Sequence, residues 1–156
     1  MIYSTGTVFE WFAAISSGAP LLGASPVDGG FTIDTTSDSL SLCTRLNDSH
    51  ALFPIPYNAG SVVSRFWLCV KSDTAFNTLD FSLMSFNPGI PETPYLEVAT
   101  NLYELTATTQ ILELGLEADL ILANGRSYFL RVFAHIWEFG KITLKGYGVH
   151  TEYRSL

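Results

Sequence analysis

From Gly29 to Tyr153 apolar and polar side chains alternate at nearly every step. A period of two belongs to a strand with one face on a core and the other toward water. Phe31-Thr32-Ile33 follows Gly29-Gly30, and Leu40, Leu42, Thr44 and Leu46 alternate with Ser41, Cys43 and Arg45. Val62, Phe66, Leu68 and Val70 share one face of 61–70, and Val63, Arg65, Trp67 and Cys69 the other. Leu79, Phe81 and Leu83 repeat the pattern, closed by the turn residues Asn87-Pro88-Gly89. Tyr95–Val98 and Leu102–Thr106 are weaker, and Gln110–Leu114 and Leu116–Leu122 are split by Gly115.

Asn124-Gly125 favours a tight hairpin turn. A stripe of Tyr128, Leu130, Val132, Ala134 and Ile136 follows it, and a last strand covers Ile142 to Tyr153. Helical spacing is confined to Glu113–Leu122, where Gly115 opposes it, and to a turn or two in Val8–Ile15. Roughly eight to ten short strands with frequent turns predict an antiparallel β-sandwich. Because an open sheet exposes its edges, a jelly-roll arrangement is expected.

The expected organisation is an irregular N-terminal arm, 1–28, before a sandwich domain, 29–156. The arm is rich in Gly, Ala, Ser and Pro and holds an aromatic knot, Phe9-Glu10-Trp11-Phe12. Two large rings outside the regular alternation must either fold back on the sandwich or dock into a partner. Phe9, Trp11 and Phe12 are therefore the candidate partner-docking residues.

Charge narrows the partners. The 156 residues include 8 Lys+Arg and 15 Asp+Glu, a net charge of −7, and the basic residues are scattered singly. Nucleic-acid affinity needs clustered cations, so no nucleic-acid partner is expected. No apolar run reaches the roughly 18–20 residues of a membrane helix. The first basic residue is Arg45, so the N-terminus lacks the basic region of a secretory signal. The expectation is a chain made and folded in a cytosol, with Cys43 and Cys69 as reduced, buried thiols; a Cys43–Cys69 disulfide is the alternative.

Catalytic equipment is hard to find. G-x-S-x-G and phosphate-binding glycine loops are absent. Asp73, Asp80, Glu92, Glu97, Glu104, Glu113 and Glu117 are spread as a solvated negative surface would be. His50 is expected in a loop, and His135 and His150 on strands that a C-terminal hairpin would make neighbours. A metal pair there lacks any supporting ligand spacing. The reading is a non-enzymatic protein with no catalytic residue, cofactor or metal. Trp67, Trp137, Tyr57, Tyr95, Tyr103 and Tyr147 are of a type that stacks on sugar faces, although most strand aromatics serve a core.

Leu122-Ala123-Asn124-Gly125-Arg126-Ser127-Tyr128-Phe129-Leu130-Arg131-Val132 and the closing stretch Lys141 to Tyr153 resemble the endings of jelly-roll modules. Such endings occur in tailed-phage virion proteins, notably capsid decoration (cement) proteins and tail-fibre modules, and in carbohydrate-binding sandwiches. The first resemblance implies a homotrimer on the capsid surface, assembled in the host cytoplasm and gripping the major capsid protein. Such a protein stabilises the assembled shell by linkage. The alternative is a tail-fibre, receptor-binding or carbohydrate-binding module, which requires exposed aromatics beside polar side chains on one face. An enzyme on the same fold would require a polar pocket with a perturbed titratable group.

Overall fold

The computed structural model describes the backbone of residues 4–13, 21–22, 31–34, 39–43, 49–55, 59–92, 94–135 and 141–155, with side chains described from Ala51 to Thr151 within those ranges. The strands are β1 (Ser4–Ala13), β2 (Leu21–Leu22), β3 (Phe31–Asp34), β4 (Ser39–Cys43), β5 (Ser49–Pro54) and β6 (Val62–Ser72). They continue as β7 (Thr78–Phe86), β8 (Tyr95–Glu104), β9 (Thr109–Ile121), β10 (Ser127–His135) and β11 (Lys141–Ser155). No helix occurs among the described residues.

The strands form two antiparallel sheets. The first runs β3-β4-β11-β6-β9, with β1 also on β11; the second runs β2-β5-β10-β7-β8. Along one edge of β11, β4 pairs with Lys141 to Leu144 and β1 takes over from Gly146 to Ser155. The changeover coincides with a bulge between Leu144 and Gly146 in the pairing with β6, where an extra residue bends the strand.

The core lies between the sheets. Phe66, Leu68, Val70, Leu112, Leu114, Ile142, Leu144, Tyr147 and Val149 come from the first sheet. Ala51, Phe53, Leu79, Phe81, Leu83, Leu130, Val132 and Ala134 come from the second. Tyr147 is fully buried, yet its hydroxyl is satisfied: Oη donates to the Pro54 carbonyl of the opposite sheet at 2.9 Å. Its ring centroid lies 5.0 Å from that of Phe53. At the other side of the sandwich β8 and β9 are the terminal strands, and Tyr103 Oη donates to the Glu113 carbonyl across them.

Several expectations change. Residues 4–13 are a paired strand rather than irregular chain, because β11 beyond its bulge has a backbone edge that β4 does not reach. β9 is one strand through Gly115, not two and not helical. β9 and β10 lie in different sheets, so Asn124-Gly125 turns a crossover and not a hairpin. Only Gly125 of that pair is left-handed, at φ 78°. His50 lies in β5 rather than a loop, since β5 is held between β2 and β10. Val63 belongs to the core, because a bulge between Val63 and Arg65 shifts the alternation by one residue. Cys69 is a free, half-buried thiol, which removes the Cys43–Cys69 disulfide.

The β6–β7 connection is tightly tied. Ser72 Oγ donates to the Thr74 carbonyl at 2.6 Å, and Asn77 Nδ2 to Thr74 Oγ1 at 3.0 Å. Asp73 N donates to the Lys141 carbonyl and Leu105 N to that of Asn77. This loop carries Phe76 at φ 73° with its ring 71% exposed. A bulky residue in that region is a backbone outlier.

Candidate functional site

The inward phase of β10 is Leu130, Val132 and Ala134; its outward phase is Phe129, Arg131, Phe133 and His135. Cross-strand register extends the outward set. Phe129 pairs with Met84 on β7 and Pro54 on β5, and Arg131 with Ser82 and Leu52. Phe133 stands opposite Asp80, and Ser127 opposite Phe86, whose β8 partner is Tyr95. By register the outer face of the second sheet brings Phe86, Tyr95, Phe129 and Phe133 together with Arg131, His135, Asp80, Glu97 and Glu104, and the backbone of His50 pairs with Phe133 from β5.

The rings form two groups. Phe86 and Tyr95 have centroids 5.0 Å apart, and Tyr95 meets Phe129 edge-on at 6.2 Å. Phe133 contacts His135 at 4.6 Å. Phe129 and Phe133, four residues apart on one strand, are spaced about 13 Å at the rise of a strand. Tyr95 is 61% exposed, although a ring this large is normally mostly covered.

The polar groups of the face are mutually anchored. Arg131 Nη2 donates to Glu97 Oε2 at 2.9 Å. His135 Nε2 and Asp80 Oδ2 are also 2.9 Å apart, and Ser82 Oγ and Thr100 Oγ1 are 2.7 Å apart. Anchoring removes rotamer freedom in advance, which lowers the entropic cost of binding. One donor has nothing to bond: Arg131 Nε is buried without a hydrogen-bond partner among the described residues. Leaving such a donor unmade costs about 1–3 kcal/mol.

Two adjoining hollows occupy this face. One, of about 430 Å³, is lined by Leu52, Met84, Tyr95, Phe129, Arg131 and Phe133. The other, of about 310 Å³, is lined by Leu52, Pro54, Phe86, Tyr95, Ser127, Tyr128 and Phe129. They share Leu52, Tyr95 and Phe129. Chemically, the first offers ring faces flanking a guanidinium, and the second is a nearly pure apolar slot.

The outer face of the first sheet is different. Trp67 is half-buried and meets His150 edge-on at 6.4 Å, and His150 Nδ1 lies 2.8 Å from Ser64 Oγ. Arg65 and Glu113, both more than half exposed, approach to 3.7 Å.

Of the aromatics put forward from sequence, Tyr95 lies at the candidate site, Trp67 on the opposite sheet, Tyr103 at the β8–β9 side and Tyr147 in the core. Tyr57 and Trp137 lie outside the described residues. So do the side chains of the docking candidates Phe9, Trp11 and Phe12, whose backbones pair with His150, Gly148 and Tyr147. His135 and His150 stand on different sheets and form no pair, and no group of three or more metal-ligating side chains occurs among the described residues. Sequence reasoning missed Phe86, Phe129 and Phe133. The available signal was that β10 is aromatic in both phases, and only one phase can serve a core.

No family model matches the chain, and no curated protein matches it. Among solved structures the chain is similar to the xylan-binding module CBM15, with a TM-score of 0.59 at 17% identity, covering 93% of this chain and 97% of that one. It is similar to a family two carbohydrate esterase from Cellvibrio japonicus at 17% identity and a TM-score of 0.49, covering 96% of this chain but 34% of that one. It is also similar to the enzymatically active domain of bacteriophage CBA120 tailspike protein 4 at 12% identity and a TM-score of 0.41, covering 92% of this chain and 19% of that one. The chain thus spans about a third of the esterase and a fifth of the tailspike chain. Geometry and comparison agree on the architecture: this is an all-β, antiparallel sandwich of the jelly-roll kind.

Proposed function

We propose that the protein is a carbohydrate-binding module and that its site is the outer face of the second sheet. The observation that carries this reading is the outward row of exposed Tyr95 and half-buried Phe129 and Phe133, with Arg131 between the last two. The apolar CH face of a pyranose stacks on such rings, and its rim hydroxyls need fixed donors and acceptors. Arg131, Glu97, Asp80 and His135 are that set, already oriented by one another. The fold similarity to a xylan-binding module, nearly end to end in both chains, supports the same reading.

The capsid-decoration reading drew its motive from a free aromatic arm. Residues 4–13 as a sheet strand weaken that motive, since ten backbone positions are already paired within the chain.

The test is calorimetric titration of the purified protein with soluble xylan, mixed-linkage β-glucan, galactan and glucomannan. The expected result is binding to at least one, lost in the Phe129→Ala/Phe133→Ala double variant while its thermal unfolding stays cooperative. Silence across the set, or binding that survives the double variant, overturns the assignment.

A further inference from the structure

The two hollows on the candidate face differ in what they can hold. The larger has the Arg131 guanidinium in its wall. Among the described residues the smaller has Leu52, Pro54, Phe86, Tyr95, Tyr128 and Phe129, with Ser127 and the two tyrosine hydroxyls as its polar groups and no charged side chain. A sugar ring pressed into it would leave most of its hydroxyls without partners, and each unmade bond costs free energy. The Tyr128 hydroxyl accepts from Ala123 N at 3.1 Å and keeps a single O–H to donate, one bond against the several that a sugar ring needs. The occupant therefore has to be mostly apolar, with few polar groups.

Its shape follows from the walls. Phe86, Tyr95 and Phe129 stand tilted or edge-on to one another at 5.0 and 6.2 Å. That packing accepts a further ring by offset or edge contact. Leu52, Tyr95 and Phe129 line both hollows, so a substituent in the smaller is within reach of a sugar in the larger.

We infer that the protein recognises a glycan bearing an aromatic acyl ester of the hydroxycinnamoyl class, with the sugar on the Phe129–Arg131–Phe133 surface and the acyl ring in the Phe86–Tyr95–Tyr128 slot. This inference rests on the carbohydrate reading above. Binding adds no covalent step; the ester remains intact.

The experiment compares three probes on the full chain by calorimetry: feruloylated arabinoxylan, the same polymer after mild alkaline saponification, and an acetylated xylan without aromatic esters. The feruloylated polymer should bind about tenfold more tightly than either other probe, the value of one to two good ring contacts. Phe86→Ala should lose that preference, its affinities for the feruloylated and the saponified polymer becoming equal. Should Phe86→Ala fold poorly, Ser127→Trp, which fills the slot from an exposed position, replaces it with the same expected outcome. Equal affinity for feruloylated and saponified polymers overturns the acyl inference and leaves carbohydrate binding standing. Equal affinity for the acetylated xylan and the feruloylated polymer also overturns it. Absence of binding to all three removes the inference.

Discussion

Arg131 and Glu97 are joined at 2.9 Å from β10 to β8, with β7 lying between their two strands. The pair leaves Arg131 Nε without a partner among the described residues. Its side chains are 32% and 42% exposed, so its share of stability is small. A half-exposed ion pair is worth under about 1 kcal/mol. Glu97→Gln should leave thermal stability nearly unchanged and weaken glycan binding about threefold to tenfold by releasing the guanidinium. Thermal unfolding and calorimetry on the same sample separate the two effects. An unchanged affinity would mean that Arg131 needs no anchoring.

Phe81 and Phe133 point to opposite sides of the second sheet. Phe81 is fully buried, and Phe133 is half-buried on the outer face. Phe81→Ala should cost about 3–5 kcal/mol in denaturant unfolding, the usual cost of an emptied aromatic core position. Phe133→Ala should cost well under half of that, yet it should be the variant that loses ligand. Chemical unfolding curves alongside binding isotherms check both halves.

How far the sequence spoke is visible in these two residues. Phe81 was legible because Leu79, Phe81 and Leu83 alternate with polar neighbours, and the core phase follows from period two. Phe133 was not, because β10 carries apolar side chains in both phases. A stripe search then finds Leu130, Val132 and Ala134 and passes over the ring-bearing positions between them. The pairing of strands was hidden for another reason. Sandwich strands exchange sheets through short crossovers, and Asn124-Gly125 has the chemistry of a hairpin without making one. β8 read weakly because it is a terminal strand exposed along most of its length, where burial imposes little alternation.

Phe76 is predicted to be a site of gain. Its φ of 73° suits glycine and opposes a side chain. The loop around it is fixed by hydrogen bonds that do not involve its ring. Phe76→Gly should stabilise the protein by up to about 1 kcal/mol, because relief of left-handed strain outweighs glycine's extra unfolded-state entropy. Phe76→Val should destabilise it. Equilibrium urea unfolding of the two variants reads the sign directly.

Tyr103 makes stability depend on alkaline pH. Burial raises its hydroxyl above the ordinary value of 10.0; a hydrogen bond from Asn101 opposes this, and the Glu113 charge adds to it. The folded state therefore keeps its proton where the unfolded state loses it. The stabilisation is complete below pH 10 and declines as pH rises through the folded value. Tyr103→Phe should flatten that alkaline decline. It should also lower stability near neutrality by about 0.5–1.5 kcal/mol, through loss of the bond to the Glu113 carbonyl. Unfolding free energies measured from pH 7 to 11 test both statements.

β11 has consequences for how the first sheet holds together. Three strands of the first sheet, β1, β4 and β6, hydrogen-bond to it directly, and β3 and β9 are reached through β4 and β6. It is also the last of the described strands in chain order. Without it β1 and β4 have no partner in common, and the second sheet has only the paired β6 and β9 to close against. A break in β11 after Leu144 would therefore cost more than the residues beyond it: β4 keeps its pairing, β1 loses its whole partner edge, and β6 loses most of its contact with β11.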